Sequence, residues 1–129
     1  MNRPRAKLLI ADCHEETLIA LQRVLEDAAY DTTAVWTARE FVDAIHSQVF
    51  DLVLINEYMP GGPCRELLQL LREADLRCVL LQTRTPAVSG PATPVAEHVN
   101  ETVCKHDYAE IVRLVSELLP NGEKPASAA

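Results

Sequence analysis

Polar side chains of types that can react or bind ligands follow several short apolar segments of this 129-residue chain. They are Asp12 and Cys13 after residues 8–11, Asn56 and Glu57 after residues 52–55, Gln82 and Thr83 after residues 78–81, and Lys105 after residues 99–104. In an open α/β sheet, ligands bind outside the carboxyl ends of the strands, so these positions are the ones to examine. Carboxylates offer hard oxygen ligands to cations, and a lysine neutralises charge on an anionic group.

The elements that must position these side chains alternate between strand and helix along the chain. The apolar segments predict five strands, at residues 8–11, 32–36, 52–55, 78–81 and 99–104, with the more polar fifth at a sheet edge. Leucines at helical spacing indicate a helix after the first strand, and two N-terminal capping patterns, Thr37 with Glu40 and Asp107 with Glu110, open two others. This alternation predicts a doubly wound α/β fold with a parallel sheet between two helical layers.

Two segments depart from the alternation. Residues 83–95 contain Pro86, Pro91 and Pro94, which remove amide donors where a fourth helix is expected, so that helix should be short or broken. Residues 120–129 are rich in Pro, Ala and Ser and predict a flexible tail or linker after a domain of residues 1–119.

Composition excludes several classes of function. The net charge of −7 opposes direct contact with nucleic acid. Apolar runs of four residues are far too short to span a bilayer, and the amino terminus does not read as a signal peptide, so we expect a cytoplasmic domain. The four cysteines form no CxxC pair, which disfavours zinc and predicts reduced, small buried side chains. No glycine-rich nucleotide-binding loop occurs.

Three segments together resemble the receiver domain of bacterial response regulators, of the CheY type. They are Lys-Leu-Leu-Ile-Ala-Asp at residues 7–12, Phe-Asp-Leu-Val-Leu-Ile-Asn-Glu-Tyr-Met-Pro-Gly at residues 50–61 and Val-Cys-Lys at residues 103–105. The resemblance covers residues 6–119. It implies a flavodoxin-like, three-layer α/β/α fold with a five-stranded parallel sheet in the order 2-1-3-4-5.

The same resemblance implies a phosphorylation site that this sequence only partly retains. Receiver domains hold Mg²⁺ with an acidic pair after the first strand and phosphorylate an aspartate at the end of the third. Asp12 matches the first acidic position, Cys13 replaces the direct metal ligand, and Asn56 replaces the phospho-acceptor. Thr83 and Lys105 match the hydroxyl and lysine that bind the phosphoryl group. Thr102 stands where the family often has an aromatic switch residue.

These departures predict an atypical, aspartate-less receiver that is neither an enzyme nor a holder of metal or cofactor. We expect a phosphorylation-independent protein-interaction module in two-component-type signal transduction, with a kinase, another receiver or an attached output domain as partner. Homodimerisation through the last helix is a further option. An Asp12–Lys105 contact would lock the pocket in one state, and the alternative is that its polar residues are remnants.

Two other functions stay open from the sequence. One is a phosphorelay receiver that is switched through a non-standard acceptor. The other is a small-ligand or redox sensor on a flavodoxin-like scaffold, the redox version resting on Cys13 beside His14 at a strand end.

Overall fold

The computed structural model describes residues 5–57, 59–61, 64–82, 101–104 and 106–119. Strands and helices alternate along these residues until β5 follows β4. The elements in chain order are β1 (Lys7–Ala11), α1 (Glu15–Asp27), β2 (Asp31–Val35), α2 (Ala38–Ser47), β3 (Leu52–Asn56), α3 (Cys64–Glu73), β4 (Cys78–Gln82), β5 (Glu101–Cys104) and α4 (Tyr108–Leu118). The predicted loop at 83–95 and the predicted tail at 120–129 lie outside the described residues.

The five strands form one parallel sheet in the order β2-β1-β3-β4-β5. This confirms the predicted strand order and the edge position of the polar fifth strand. Parallel neighbours need crossover connections, and α1, α2 and α3 supply those between β1 and β4 on the two faces of the sheet. The doubly wound α/β architecture is therefore the one that the alternation of elements predicts.

Alternate residues of the central strands face two separate cores, which explains why these strands are apolar throughout. Leu8 and Ile10 of β1 pack into a core with side chains of α1 and α4. Leu9 and Ala11 pack on the other face with side chains of α2 and α3. Every residue of β3 is buried, so this strand is covered by helices on both faces.

Both predicted capping patterns are present. The Thr37 hydroxyl accepts a hydrogen bond from the backbone amide of Glu40 (3.1 Å), and the Glu40 carboxylate accepts one from the amide of Thr37 (3.2 Å). Asp107 accepts from the backbone amide of Glu110 at the start of α4 (3.3 Å). These contacts satisfy amides that lack partners inside the first helical turn.

Register at the centre of the sheet sets the location of the site. Ala11 at the end of β1 pairs with Ile55 of β3, so Asp12 and Asn56 are the next residues along the two strands. Both strands point the same way, and their carboxyl ends therefore meet at one edge. No helix in the part of the chain that the structure describes is both long and apolar enough to cross a membrane.

Candidate functional site

Asp12 is buried at the carboxyl end of β1, with no exposed surface. Its backbone amide donates to the carbonyl of Val35, which ties this turn to the end of β2 (3.2 Å). Its Oδ1 accepts hydrogen bonds from the backbone amide of His14 (2.9 Å) and from the side chain of Asn56 (3.2 Å). A buried carboxylate is stable only when such donors compensate for lost water, so these contacts fix its orientation.

Asn56 is the last residue of β3, and its side chain is 2% exposed. Its backbone pairs with Leu81 of β4, which places it between the two neighbouring strands. Its Nδ2 group donates to Asp12, a hydrogen bond that an ionised carboxylate at this position would be unable to make. The structure thus brings together the predicted acidic position and the predicted degenerate acceptor.

Cys13 and His14 lie on the exposed side of the same turn. The Cys13 Sγ is 3.7 Å from His14 Nδ1, and this nitrogen is 3.1 Å from Asp12 Oδ1. The prediction that cysteines are small buried side chains holds for Cys78 but is wrong for Cys13, which is exposed. The strand that buries its neighbours ends at Ala11, so Cys13 falls in the turn before α1.

The contact of His14 with Asp12 was not predicted from the sequence, which pairs His14 only with Cys13 in the redox alternative. His14 occupies the N-cap position of α1, with a side chain that is 60% exposed. It makes no side-chain capping hydrogen bond; instead its ring contacts the Asp12 carboxylate. The available signal was its spacing, two residues after a strand-end aspartate and one residue before the helix.

Three other predicted site residues are tested only in part or not at all. Thr83 and Lys105 lie outside the described residues, so the expected Asp12–Lys105 contact stays a prediction. Thr102 lies on β5, where its backbone pairs with Leu80 of β4. This is the strand on which the switch position is expected.

The donor set does not fit the Mg²⁺ ion that receiver domains hold. Mg²⁺ prefers hard oxygen ligands in octahedral geometry. Here Cys13 offers a soft thiol where the resemblance implies a carboxylate ligand. Asn56 turns amide hydrogens toward Asp12, so that side of its side chain presents donors rather than a ligand oxygen. Asp12 is the single carboxylate among the three positions.

No family model matches the chain, but its sequence is similar to proteins that are named as regulatory proteins. A sensory/regulatory protein, RpfC of Xanthomonas campestris, is 35% identical over 66 residues, which is 51% of this chain and 9% of that protein. An uncharacterized transcriptional regulatory protein of Bacillus subtilis, YkoG, is 28% identical over 123 residues, 93% of this chain and 54% of that protein. The chain thus spans only part of the curated relatives it matches.

Solved structures match most of the chain. The response regulator TrrA of Thermotoga maritima, in complex with Mg²⁺ and BeF, superposes with a TM-score of 0.77 at 22% identity, covering 88% of this chain and 99% of that one. The chemotaxis response regulator CheY4 of Vibrio cholerae gives a TM-score of 0.76 at 18% identity, covering 89% and 99%. The resemblance drawn from three sequence segments is therefore confirmed at the level of structure: this chain has the CheY-like fold of response-regulator receiver domains.

Proposed function

We propose that this chain is a receiver domain of two-component-type signal transduction that works through protein contacts, independently of phosphorylation. The observation that carries the proposal is the buried hydrogen bond from the Asn56 amide to the Asp12 carboxylate. In it, Asn56 takes the place of the acceptor aspartate that the resemblance implies beside the acidic side chain of Asp12.

The chemistry of the amide supports this proposal. Nucleophilic attack on a phosphoryl group requires an available electron pair, and a carboxylate provides one. The amide nitrogen of Asn56 has its electron pair delocalised into the carbonyl, and its hydrogens are directed at Asp12. Phosphoryl transfer also depends on metal ions to neutralise charge. Cys13 is a poor ligand for the Mg²⁺ that would do this.

The proposed partner is another protein, either a kinase, a second receiver or an attached output domain. The printed names of the relatives, a sensory/regulatory protein and a transcriptional regulatory protein, support a place in such a system. The negative charge of the chain argues that any DNA contact belongs to a partner or output domain. This role would place the domain in the cytoplasm and requires no enzymatic activity of its own. Homodimerisation through α4 stays a prediction.

Incubation with acetyl phosphate and Mg²⁺, followed by intact-mass measurement, tests the proposal. We expect no mass increase from a phosphoryl group under conditions that label a receiver carrying the acceptor aspartate. A stable phosphoryl adduct on the unmodified chain would overturn it. Peptide mapping of that adduct would then identify the non-standard acceptor, which is the alternative function left open by the sequence.

A further inference from the structure

We propose that Asp12, Cys13 and His14 form a binding site for a divalent transition-metal ion of the Zn²⁺ class. Each side chain offers one ligand atom, and the three atoms lie within 4.8 Å of one another. The site lies in the turn between β1 and α1, where the resemblance to receiver domains implies Mg²⁺. Its sulfur and nitrogen ligands favour a softer metal ion than Mg²⁺. It goes beyond the proposed function, since metal binding here requires no phosphotransfer.

Two of the three separations between the ligand atoms approach the edges of a tetrahedral site. Ligand bonds of 2.3 Å to sulfur and 2.0–2.1 Å to nitrogen or oxygen give tetrahedral edges of about 3.6 Å for sulfur to nitrogen and about 3.4 Å for nitrogen to oxygen. The observed separations are 3.7 Å from Cys13 Sγ to His14 Nδ1 and 3.1 Å from His14 Nδ1 to Asp12 Oδ1. Adjustments of a few tenths of an ångström would suffice for these two edges.

The chemistry of the three donors selects the same class of ion. A thiolate and an imidazole are ligands of Zn²⁺ and its neighbours, whereas Mg²⁺ prefers oxygen. A deprotonated thiol and a carboxylate together carry two negative charges, which balance a divalent cation when the imidazole is neutral. Cys13 and His14 are exposed, so a fourth position facing solvent can be filled by water.

Hydrogen bonds already orient the Asp12 carboxylate, which is the only buried ligand of the three. The Asp12 carboxylate is fully buried and is held by the backbone amide of His14 and by the Asn56 side chain. Both hydrogen bonds end on Oδ1, so they fix the orientation of the carboxylate beside the His14 ring. Cys13 and His14 follow directly after the strand, so only two exposed side chains need to adjust. The ion would take the place of any proton shared between His14 Nδ1 and Asp12 Oδ1.

A nucleophilic triad is the main competing interpretation of a cysteine, a histidine and an aspartate in contact. Such a triad uses one ring nitrogen toward the nucleophile and the other toward the carboxylate. In this structure the same nitrogen, His14 Nδ1, faces both the sulfur and the carboxylate. Three ligand atoms within 4.8 Å of one another, two of them facing the same ring nitrogen, suit an ion rather than a proton relay.

Titration of the full chain with Co²⁺ and Zn²⁺ tests the site. We expect one Co²⁺ ion per chain, a thiolate-to-cobalt absorption band, displacement by Zn²⁺ and no displacement by excess Mg²⁺. Cys13→Ser and His14→Ala should each weaken binding by more than the roughly 10–100-fold that loss of an outer contact costs. Cys104→Ser and His46→Ala are matched controls that should keep full affinity, since these residues lie on β5 and α2.

Protection of the thiol gives a second measurement that does not depend on variants. Zn²⁺, but not Mg²⁺, should slow alkylation of Cys13 by iodoacetamide, read by peptide mass. Equal alkylation rates with and without Zn²⁺, or unchanged affinity in the folded Cys13→Ser variant, would overturn the proposal. A phosphoryl adduct on the unmodified chain would instead contradict the proposed function and leave this site unaffected.

Discussion

The side-chain amide of Asn56 donates a hydrogen bond of 3.2 Å to the carboxylate of Asp12, across the junction of β1 and β3. Both side chains are buried. Two ionised carboxylates at this separation would repel each other unless a cation lay between them. With Asn56 in place, the two side chains attract each other through a hydrogen bond. Their contact is therefore stable without a metal ion.

Asn56→Asp should therefore lower the free energy of unfolding at neutral pH. The substitution removes a donor to a buried carboxylate and adds a like charge beside it, at a cost on the order of 1–3 kcal/mol. The loss should shrink as the pH falls, because protonation of one carboxyl group removes the repulsion while the unfolded chain keeps its carboxyl groups apart. Urea denaturation at neutral and acidic pH measures both effects.

Asn56→Leu is the matched control, since it removes the same hydrogen bond without adding charge. Its cost should vary less with pH than that of the aspartate variant, because it adds no second carboxylate beside Asp12. Equal stability of the unmodified chain and the aspartate variant at neutral pH would contradict the like-charge account.

The double substitution Cys13→Asp with Asn56→Asp should create Mg²⁺ binding, because it restores carboxylates to both altered positions of a pocket whose strand ends are already in register. Thermal unfolding should then become Mg²⁺-dependent, with about 3 kcal/mol of stabilisation at a hundred times the dissociation constant. The unmodified chain should show no such shift, and each single variant only a weak one. Failure of the double variant to bind would mean that the pocket no longer has receiver geometry.

The sequence was sufficient to predict the fold because its signals are local. Short buried strands, the capping contact between Thr37 and Glu40, and the residues flanking each strand all depend on neighbours within a few positions. The pairing of Asp12 with Asn56 was also within reach, since the carboxyl ends of adjacent parallel strands meet at one edge.

What the sequence did not reveal depends on side-chain direction and long-range contact. The turn of His14 toward Asp12 follows from the geometry of the residue before α1, which no periodicity encodes. β1 ends at Ala11, as predicted, so the exposure of Cys13 depends on the direction of its side chain in the turn that follows. The contact of Tyr30 with the end of the last helix joins residues nearly ninety positions apart.

Arg113→Gln should raise the pKa of Glu110 toward its ordinary value. A hydrogen bond from Arg113 holds the pKa of this carboxyl group below that value (Arg113 Nε to Glu110 Oε1, 2.9 Å), and the attraction between the charges adds to it. A pKa that is lower in the folded chain stabilises the fold at pH values above the pKa of the unfolded chain. This stabilisation is lost as the pH falls through the pKa of the folded chain. Carboxyl NMR titration measures the change, which added salt should reduce.

Glu117→Gln serves as the control for this helix surface. It removes the other ion pair of Arg113 but leaves the hydrogen bond to Glu110 in place. The pKa of Glu110 should therefore move much less than in the arginine variant. An equal change in the pKa of Glu110 in both variants would mean that the surrounding charges, rather than the hydrogen bond from Arg113, set this pKa.

Tyr30→Phe should loosen the attachment of α4 to the rest of the domain. The Tyr30 side chain is 1% exposed, and its hydroxyl donates to the carbonyl of Leu119 (3.2 Å) beside the hydroxyl of Ser116 (3.3 Å). Loss of this hydrogen bond leaves a buried carbonyl without its donor and should cost about 1 kcal/mol in urea denaturation. Ser116→Ala, at an exposed position, should cost less, and amide exchange in α4 should accelerate only in the tyrosine variant. Unchanged exchange in that variant would show that apolar packing of Ile111 and Val115 holds the helix without the hydroxyl.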